Sequence, residues 1–94
     1  MLFLVVSQPG PSRPSDVAGQ RRLYWDWVQP LIDAGEVRHV FGRVGRGAAA
    51  VLDVASNERL HALLNEWADI MPAEFQVFPL LDPDAMRDFL GEGE

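Results

Sequence analysis

Two hydrophobic patterns alternate along this chain: short runs that are apolar at nearly every position, and longer stretches whose apolar residues recur at helical spacing. The short runs predict buried strands, and the longer stretches predict helices with one apolar face. Strands are predicted over residues 2–7, 36–44, 48–54 and 75–81. Helices are predicted over residues 17–34, from a cap at Ser56 to a point before Pro72, and from residues 82–84 to Leu90.

The two long helices have recognisable ends and faces. Ser15 or Asp16 is the candidate N-cap of the first helix, and Ser56 is that of the second. Gly35 suits the C-terminus of the first helix, whereas Pro30 inside it predicts a kink or an early end. The apolar faces consist of Tyr24, Trp27, Val28 and Leu31 in the first helix and of Leu60, Leu63, Leu64 and Trp67 in the second.

The element order is β-α-β-β-α-β, which predicts an α+β, ferredoxin-like fold with a four-stranded antiparallel sheet and both helices on one face. The other face of such a sheet is normally polar when it meets water. Here the runs LFLVV, AAAVL and VFPLL are apolar on both sides. A second copy packed sheet against sheet is the simplest cover, since twofold pairs are the commonest oligomers. The sequence therefore predicts a dimeric α+β barrel.

Composition narrows the chemistry that the chain can perform. The 94 residues are expected to form a single domain, residues 1–94, and they contain neither cysteine nor lysine. Thiolate, disulfide and Schiff-base chemistry are therefore excluded, and all eight basic residues are arginines, which bind anions but transfer protons poorly. The net charge of −6 argues against nucleic acid or an anionic membrane surface as a partner.

Neither a membrane segment nor a metal site is expected. The apolar run Leu2–Val6 is far shorter than the roughly 20 residues that a membrane span needs, and it lacks the basic flank of a secretion signal. A soluble, cytoplasmic protein is therefore expected. His39 and His61 fall on different elements without a nearby acidic cluster, which makes a poor metal site.

Several motifs are similar to those of one family. They are Met1-Leu2-Phe3 at the start, Gly35-x-x-Arg38-His39 opening strand two, Asp53-Val54-x-Ser56-x-x-x-Leu60-His61-x-x-Leu64 after strand three, and a Pro-containing apolar stretch beyond helix two. On these motifs the chain resembles the muconolactone isomerase family of the dimeric α+β barrel superfamily. The resemblance implies a homodimer or higher homo-oligomer. It also implies a cofactor-free isomerase that shifts a proton in a small unsaturated lactone or cyclic acid.

The chain departs from the family pattern in two places. Gly42 precedes Arg43, where the family tends to place a second arginine closer to the Arg-His pair. The first helix reads Leu23-Tyr24-Trp25-Asp26-Trp27 where the family is rich in charge, so only Asp26 matches its acidic position. We therefore expect a more aromatic pocket, and the substrate stays open.

His39 is the predicted base for such a proton shift, because an unperturbed histidine titrates near neutral pH. By the strand period of two, His39 shares a face with Val37, Phe41 and Arg43. If that face lines the pocket, Arg43 holds the substrate carboxylate about 13 Å along the strand. If the opposite face does, Arg38 enters the pocket instead. The alternative is that His39 is a hydrogen-bonded structural histidine.

Other candidates lie mainly on the helices. Asp26 is a candidate second acid or base that could orient His39, and Tyr24 is a candidate donor to a developing enolate. The alternatives are a solvated carboxylate and a core tyrosine. The predicted walls of a cavity for a cyclic ligand are Trp27, Phe41 and Trp67, for which core or dimer packing is the alternative.

Two features are predicted to have no role in chemistry. His61 adjoins the leucine stripe of helix two and is predicted to pack or cap. Arg43 and Arg46 with the neighbouring glycines fit no phosphate-binding motif, and the turn Gly45-Arg46-Gly47 is predicted to be a solvated hairpin tip.

Two further function classes stay open. One is a cyclase, isomerase or cofactor-free monooxygenase acting on a polyketide-type aromatic substrate in secondary metabolism, which the aromatic first helix favours. The other is a non-catalytic ligand-binding module.

Overall fold

The computed structural model describes residues 1–91. The strands of this part are β1 (Leu2–Pro9), β2 (Val37–Gly42), β3 (Ala48–Asp53) and β4 (Ala73–Leu80). The helices are α1 (Ala18–Ala34), α2 (Asn57–Ile70) and α3 (Pro83–Gly91), and a 3₁₀ turn at Pro14–Val17 precedes α1. No helix among residues 1–91 has the length and apolar character needed to cross a membrane.

The four strands form one antiparallel sheet in the order β2-β3-β1-β4. This order places the first and third strands in the centre, and it confirms the predicted ferredoxin-like α+β fold. Pro79 lies on β4, an edge strand, where a missing N–H is tolerated.

The core lies between the sheet and the two long helices. Alternate residues of β1 and β3 face the helices, and each fully buried apolar side chain contributes about 1.5–3 kcal/mol. The buried apolar residues are Phe3, Val5, Tyr24, Val28, Val37, Ala50, Leu52, Val54, Leu60, Leu63 and Trp67.

The opposite face of the sheet, which we call the open face, is also apolar. Leu4 pairs with Val51 on one side and with Phe78 on the other, and Val6 follows Leu4 on the same face. No helix covers these residues, and Phe78 is 45% exposed. The predicted absence of apolar-polar alternation in the central strand is therefore confirmed.

The helix ends follow local chemistry only in part. Ser56 Oγ accepts a hydrogen bond from the Arg59 amide at 3.1 Å, which confirms the predicted cap of α2. Gly35 ends α1 with φ of 85°, as predicted. The predicted cap at Ser15 or Asp16 is wrong, because the chain enters α1 through the 3₁₀ turn and no side chain caps the helix.

Pro30 does not end α1, which continues to Ala34. Of the two effects predicted for Pro30, a kink or an early end, the early end is therefore wrong. Pro30 is exposed, and water can satisfy the backbone carbonyl that has no N–H partner.

Strand β2 contains a bulge that changes which side chains face the helices. Val37 pairs with Leu52 and His39 with Val51, so two steps along β2 match one step along β3. As a result Val37 is buried under the helices, whereas His39 and Phe41 face the open side. The prediction that His39 and Val37 share a face is wrong, because a strict period of two does not hold across a bulge.

The bulge also places Arg38 with His39 rather than opposite to it. The Arg38 guanidinium bonds the carboxylate of Asp53, and Asp53 pairs with Leu2 on the open face. The prediction that these two neighbours point to opposite faces is therefore wrong. Both residues lie on the open face of the sheet.

Candidate functional site

A cavity of about 320 Å³ opens on the helix side of the sheet, where the β2–β3 hairpin meets the first turns of α1. Its lining comes from four separate segments: the end of β1, the start of α1, the hairpin, and the end of α2 with the start of β4. Ligand cavities commonly form where elements converge in this way. We refer to this cavity as the hairpin pocket.

Aromatic rings form one wall of the hairpin pocket. The ring centroids of Tyr24 and Trp67 lie 5.1 Å apart, and Trp25 meets Tyr24 edge-on at 5.7 Å. Tyr24 and Trp67 belong to the apolar stripes of α1 and α2, which fixes their rings in the core. The wall is therefore apolar and held in place by the core.

Tyr24 carries a hydroxyl group that is buried behind this wall. Tyr24 is 7% exposed, and its hydroxyl oxygen is buried without a hydrogen-bond partner among the described residues. Burial raises the pKa of Tyr24 from 10.0 to about 12, so the group keeps its proton at physiological pH. Leaving a buried hydroxyl unpaired is costly, and an acceptor that reached it would remove this cost.

Three arginines line the hairpin pocket, and none of the lining residues is acidic. Arg43 Nη1 donates to the Ser7 carbonyl at 3.0 Å and to Gln8 Oε1 at 3.1 Å. Arg46 donates to the Ser12 carbonyl, and Arg21 projects from α1. These acceptors are uncharged, so they leave the positive charge of Arg43 and Arg46 unneutralised.

The hairpin reaches the pocket through a close contact with β1. The Ala48 amide donates to Ser7 Oγ at 2.9 Å, and Ser7 is the buried polar residue of β1. Gly47 has φ of 100° and lies directly against the Ser7 carbonyl. Arg43 and Arg46 therefore lie on a short loop that is held at both of its ends.

Four of the eight predicted site residues border the hairpin pocket: Tyr24, Phe41, Arg43 and Trp67. Phe41 borders it where β2 enters the hairpin, while its ring stacks on His39 at the open face. Trp27 lies behind the wall, where its ring is 6.2 Å from Trp67 and its Nε1 donates to Glu66 at 2.8 Å.

His39, Asp26 and Arg38 lie outside the hairpin pocket. His39 stacks on Phe41 at 6.0 Å on the open face, and Asp26 is exposed on α1, across the sheet. The proposed pairing of Asp26 with His39 is therefore not formed within one protomer. Arg38 holds the pKa of the Asp53 carboxyl below its ordinary value, chiefly through their hydrogen bond.

Two predictions about surface residues are corrected. His61 is exposed, and its Nε2 lies 3.1 Å from Asn65 Nδ2, so it does not pack into the leucine stripe. Arg46 is half-buried and bonded to Ser12 rather than solvated at a hairpin tip.

Arg21, Trp25 and Arg46 also line the pocket and were not predicted to do so. Arg21 and Trp25 are four residues apart on α1 and flank Tyr24, so helical spacing could have placed them beside it. No sequence pattern reports the contact of Arg46 with Ser12, because 34 residues separate them.

Comparison with known proteins supports the fold. A crystal structure of muconolactone isomerase matches with a TM-score of 0.69 and 27% sequence identity, over 88% of this chain and 92% of that chain. The muconolactone isomerase-like fold inferred from the motifs is thus confirmed. A search of curated proteins finds no match. The model of the family described as "Domain of unknown function (DUF3303)" matches residues 1–94.

Proposed function

The chain belongs to the DUF3303 family, and we propose that it is a cofactor-free isomerase that shifts a proton in a small unsaturated cyclic acid bound in the hairpin pocket. The observation that carries this proposal is the buried, unpartnered hydroxyl of Tyr24, a residue that lines a cavity with three arginines and no carboxylate. The likeness to muconolactone isomerase supports the reaction class.

A proton shift between carbons passes through an enolate, and stabilising its oxygen lowers the barrier. Tyr24 would donate its O–H to that oxygen, and its pKa of about 12 keeps the donor protonated. Arg43 would bind the substrate carboxylate, because a guanidinium stays charged and can form two parallel hydrogen bonds. Trp25 and Trp67 would contact the faces of the ring.

The proposal assigns the proton transfers to water. The lining residues include no His, Asp or Glu, and arginine is a poor base. The proton would leave the substrate carbon to a water at the pocket mouth and return from water to another carbon of the enolate. His39 is not the base in this scheme, since it lies across the sheet.

The cavity volume favours a small substrate. About 320 Å³ is at the low end of the range for ligand pockets. A substrate of one or two rings therefore fits better than the larger polycyclic compounds considered from the sequence.

A non-catalytic binding module is the second candidate. The pocket lining contains no side chain that could act as a base, and this observation favours a binding module over an enzyme. In that case the pocket would bind a cyclic acid without exchanging its protons.

The test follows isomerisation and proton exchange of muconolactone in D₂O by NMR. We expect Tyr24→Phe to lower the rate by about 10²-fold, the size of effect seen for removing one oxyanion donor. Arg43→Gln should mainly raise KM. His39→Ala serves as the control and should keep full activity. Full activity in Tyr24→Phe would contradict the mechanism, and binding without exchange in the wild-type protein would favour the binding module.

We also propose that the open face is covered by a second copy of this chain. Phe78, Leu4 and Val51 form a continuous apolar surface that no element of the described chain covers. Burying such a surface against its own twofold copy would stabilise both. The hairpin pocket lies on the other side of the sheet and stays open in this arrangement.

A further inference from the structure

The hairpin pocket carries more positive charge than one carboxylate needs. Arg21, Arg43 and Arg46 line the same cavity, in a chain whose net charge is −6. Within residues 1–91 the ion pairs involve Met1 and Arg38 with Asp53, Arg59 with Glu36, and Arg87 with Asp84. The three pocket arginines therefore have no carboxylate partner in the described part of the chain.

Arg46 is held at the mouth of the hairpin pocket. Its guanidinium donates to the Ser12 carbonyl and lies 3.4 Å from Ser12 Oγ, on the loop that leads to α1. Arg46 is half-buried, so ordering its side chain for a ligand would cost little additional entropy. A guanidinium has five N–H donors, and the contacts to Ser12 use only some of them.

Arg43 and Arg46 enter the cavity from different positions. Arg43 is fixed against β1 by the Ser7 carbonyl, whereas Arg46 is fixed against the loop before α1. A single carboxylate that bonds Arg43 in bidentate fashion engages both of its oxygens in that pair. A second anionic group on the same ring would give Arg46 a partner of opposite charge.

Building on the proposed function, we propose that the substrate class is a ring bearing two anionic groups, such as a cyclic dicarboxylate. Arg43 binds the first group, and Arg46, supported by Arg21, binds the second. Arg46 is then the residue that determines specificity for the dianion. The alternative is that Arg46 only fastens the hairpin to Ser12, in which case its loss would weaken every ligand alike.

The test uses three probe ligands that each contain one benzene ring. They are benzamide, benzoate and isophthalate, which carry zero, one and two negative charges. Binding is followed by the fluorescence of the tryptophans, since Trp25 and Trp67 line the pocket. We expect the wild-type protein to bind isophthalate about tenfold more tightly than benzoate, the value of one charge-assisted hydrogen bond. This preference should shrink with added salt.

The variant Arg46→Gln should lose the preference for isophthalate and keep its affinity for benzoate within about twofold. Arg46→Lys keeps the charge and should retain most of the preference. Arg22→Gln is the matched control, because Arg22 is an exposed arginine of α1 outside the pocket lining. It should leave all three affinities unchanged.

Two results would overturn this inference and leave the proposed function standing. One is equal affinity of the wild-type protein for benzoate and isophthalate. The other is an equal loss of all three probes, benzamide included, in Arg46→Gln, which would assign Arg46 a purely structural role. Failure of the wild-type protein to bind any probe would instead contradict the proposed function itself.

Discussion

A Cβ on Gly47 would lie 2.4 Å from the carbonyl oxygen of Ser7, which is closer than Cβ atoms come to other atoms in proteins. The same oxygen accepts a hydrogen bond from Arg43 at 3.0 Å. The hairpin that carries the pocket arginines is therefore seated on β1 at a point where only glycine fits.

We expect Gly47→Ala to displace the hairpin and weaken benzoate binding along with stability. Gly45→Ala is the matched control, because Gly45 also has positive φ, 97°, but nothing lies within 4 Å of its Cβ position. The control should lose only the stability that the strained backbone costs, about 1–2 kcal/mol, and it should keep its affinity for benzoate. Urea unfolding and probe titration of both variants check this. Equal losses in the two variants would show that the contact with Ser7 is unimportant.

Tyr24 is the only tyrosine of the chain, so its ionisation can be followed directly by tyrosinate absorbance. Its pKa is raised from 10.0 to about 12 by burial. The folded protein thus binds this proton more tightly than the unfolded chain. The stability it confers is present below pH 10 and is lost as the pH rises towards 12.

At about 1.4 kcal/mol for each pKa unit, this loss amounts to about 2–3 kcal/mol of unfolding free energy. Denaturant unfolding between pH 9 and 11.5 measures the decline, and Tyr24→Phe should flatten it at the same pH values. Absorbance that titrates near the ordinary pKa of a tyrosine in the folded protein would contradict the burial of this hydroxyl.

Glu36 and Arg59 form a two-bond ion pair, with Nε to Oε2 at 2.9 Å and Nη2 to Oε1 at 2.8 Å. The hydrogen bond from Arg59 lowers the pKa of Glu36 below its ordinary value of 4.5. The stability from this pair is therefore present above that value and is lost as the pH falls through the lowered pKa of the folded state.

We expect Glu36→Gln to unfold more easily at neutral pH and to depend less on pH in the acid range. Urea unfolding from pH 7 to 3 measures both effects. Glu74→Gln, at an exposed position of β4 away from the pair, tests whether the loss of one carboxylate charge alone changes the acid limb. Identical slopes for the wild-type protein and Glu36→Gln would exclude the pair as a source of acid sensitivity.

The open face provides a prediction about assembly. Phe78→Glu places a charge on that face, beside Leu4, and should convert a dimer into a monomer in sedimentation equilibrium. Val44→Glu is the control, because Val44 is fully exposed on the hairpin and off the face. It should remain dimeric. A wild-type protein that is monomeric at micromolar concentration would contradict the sheet-against-sheet arrangement.

The fold could be predicted because its signals are local. Strand β1 begins with the apolar run Leu2–Val6, and α2 has a capping serine and a leucine stripe. The bulge in β2 could not be predicted, because VRHVFG has no proline or glycine before its last position to mark an irregularity. The face of every later residue in β2 depends on that one insertion.

Half of the predicted site residues border the hairpin pocket. Tyr24 and Trp67 were found because both lie on helical stripes that must meet over the sheet. Arg46 was missed because its partner, Ser12, lies in a loop without periodicity. Distances between loops that are far apart in the sequence depend on the assembled tertiary structure. The pattern of apolar and polar residues along one chain does not predict them.

The bulge at Arg38 has a further consequence for aggregation. β2 and β4 are the edges of the sheet, where unpaired N–H and C=O groups invite strands from other molecules. The bulge and the charge of Arg38 interrupt one edge, and Pro79 removes an N–H from the other. Growth of the sheet from chain to chain is therefore obstructed at both edges. Association through the open face, as proposed above, stops at two copies, because each copy covers the open face of the other.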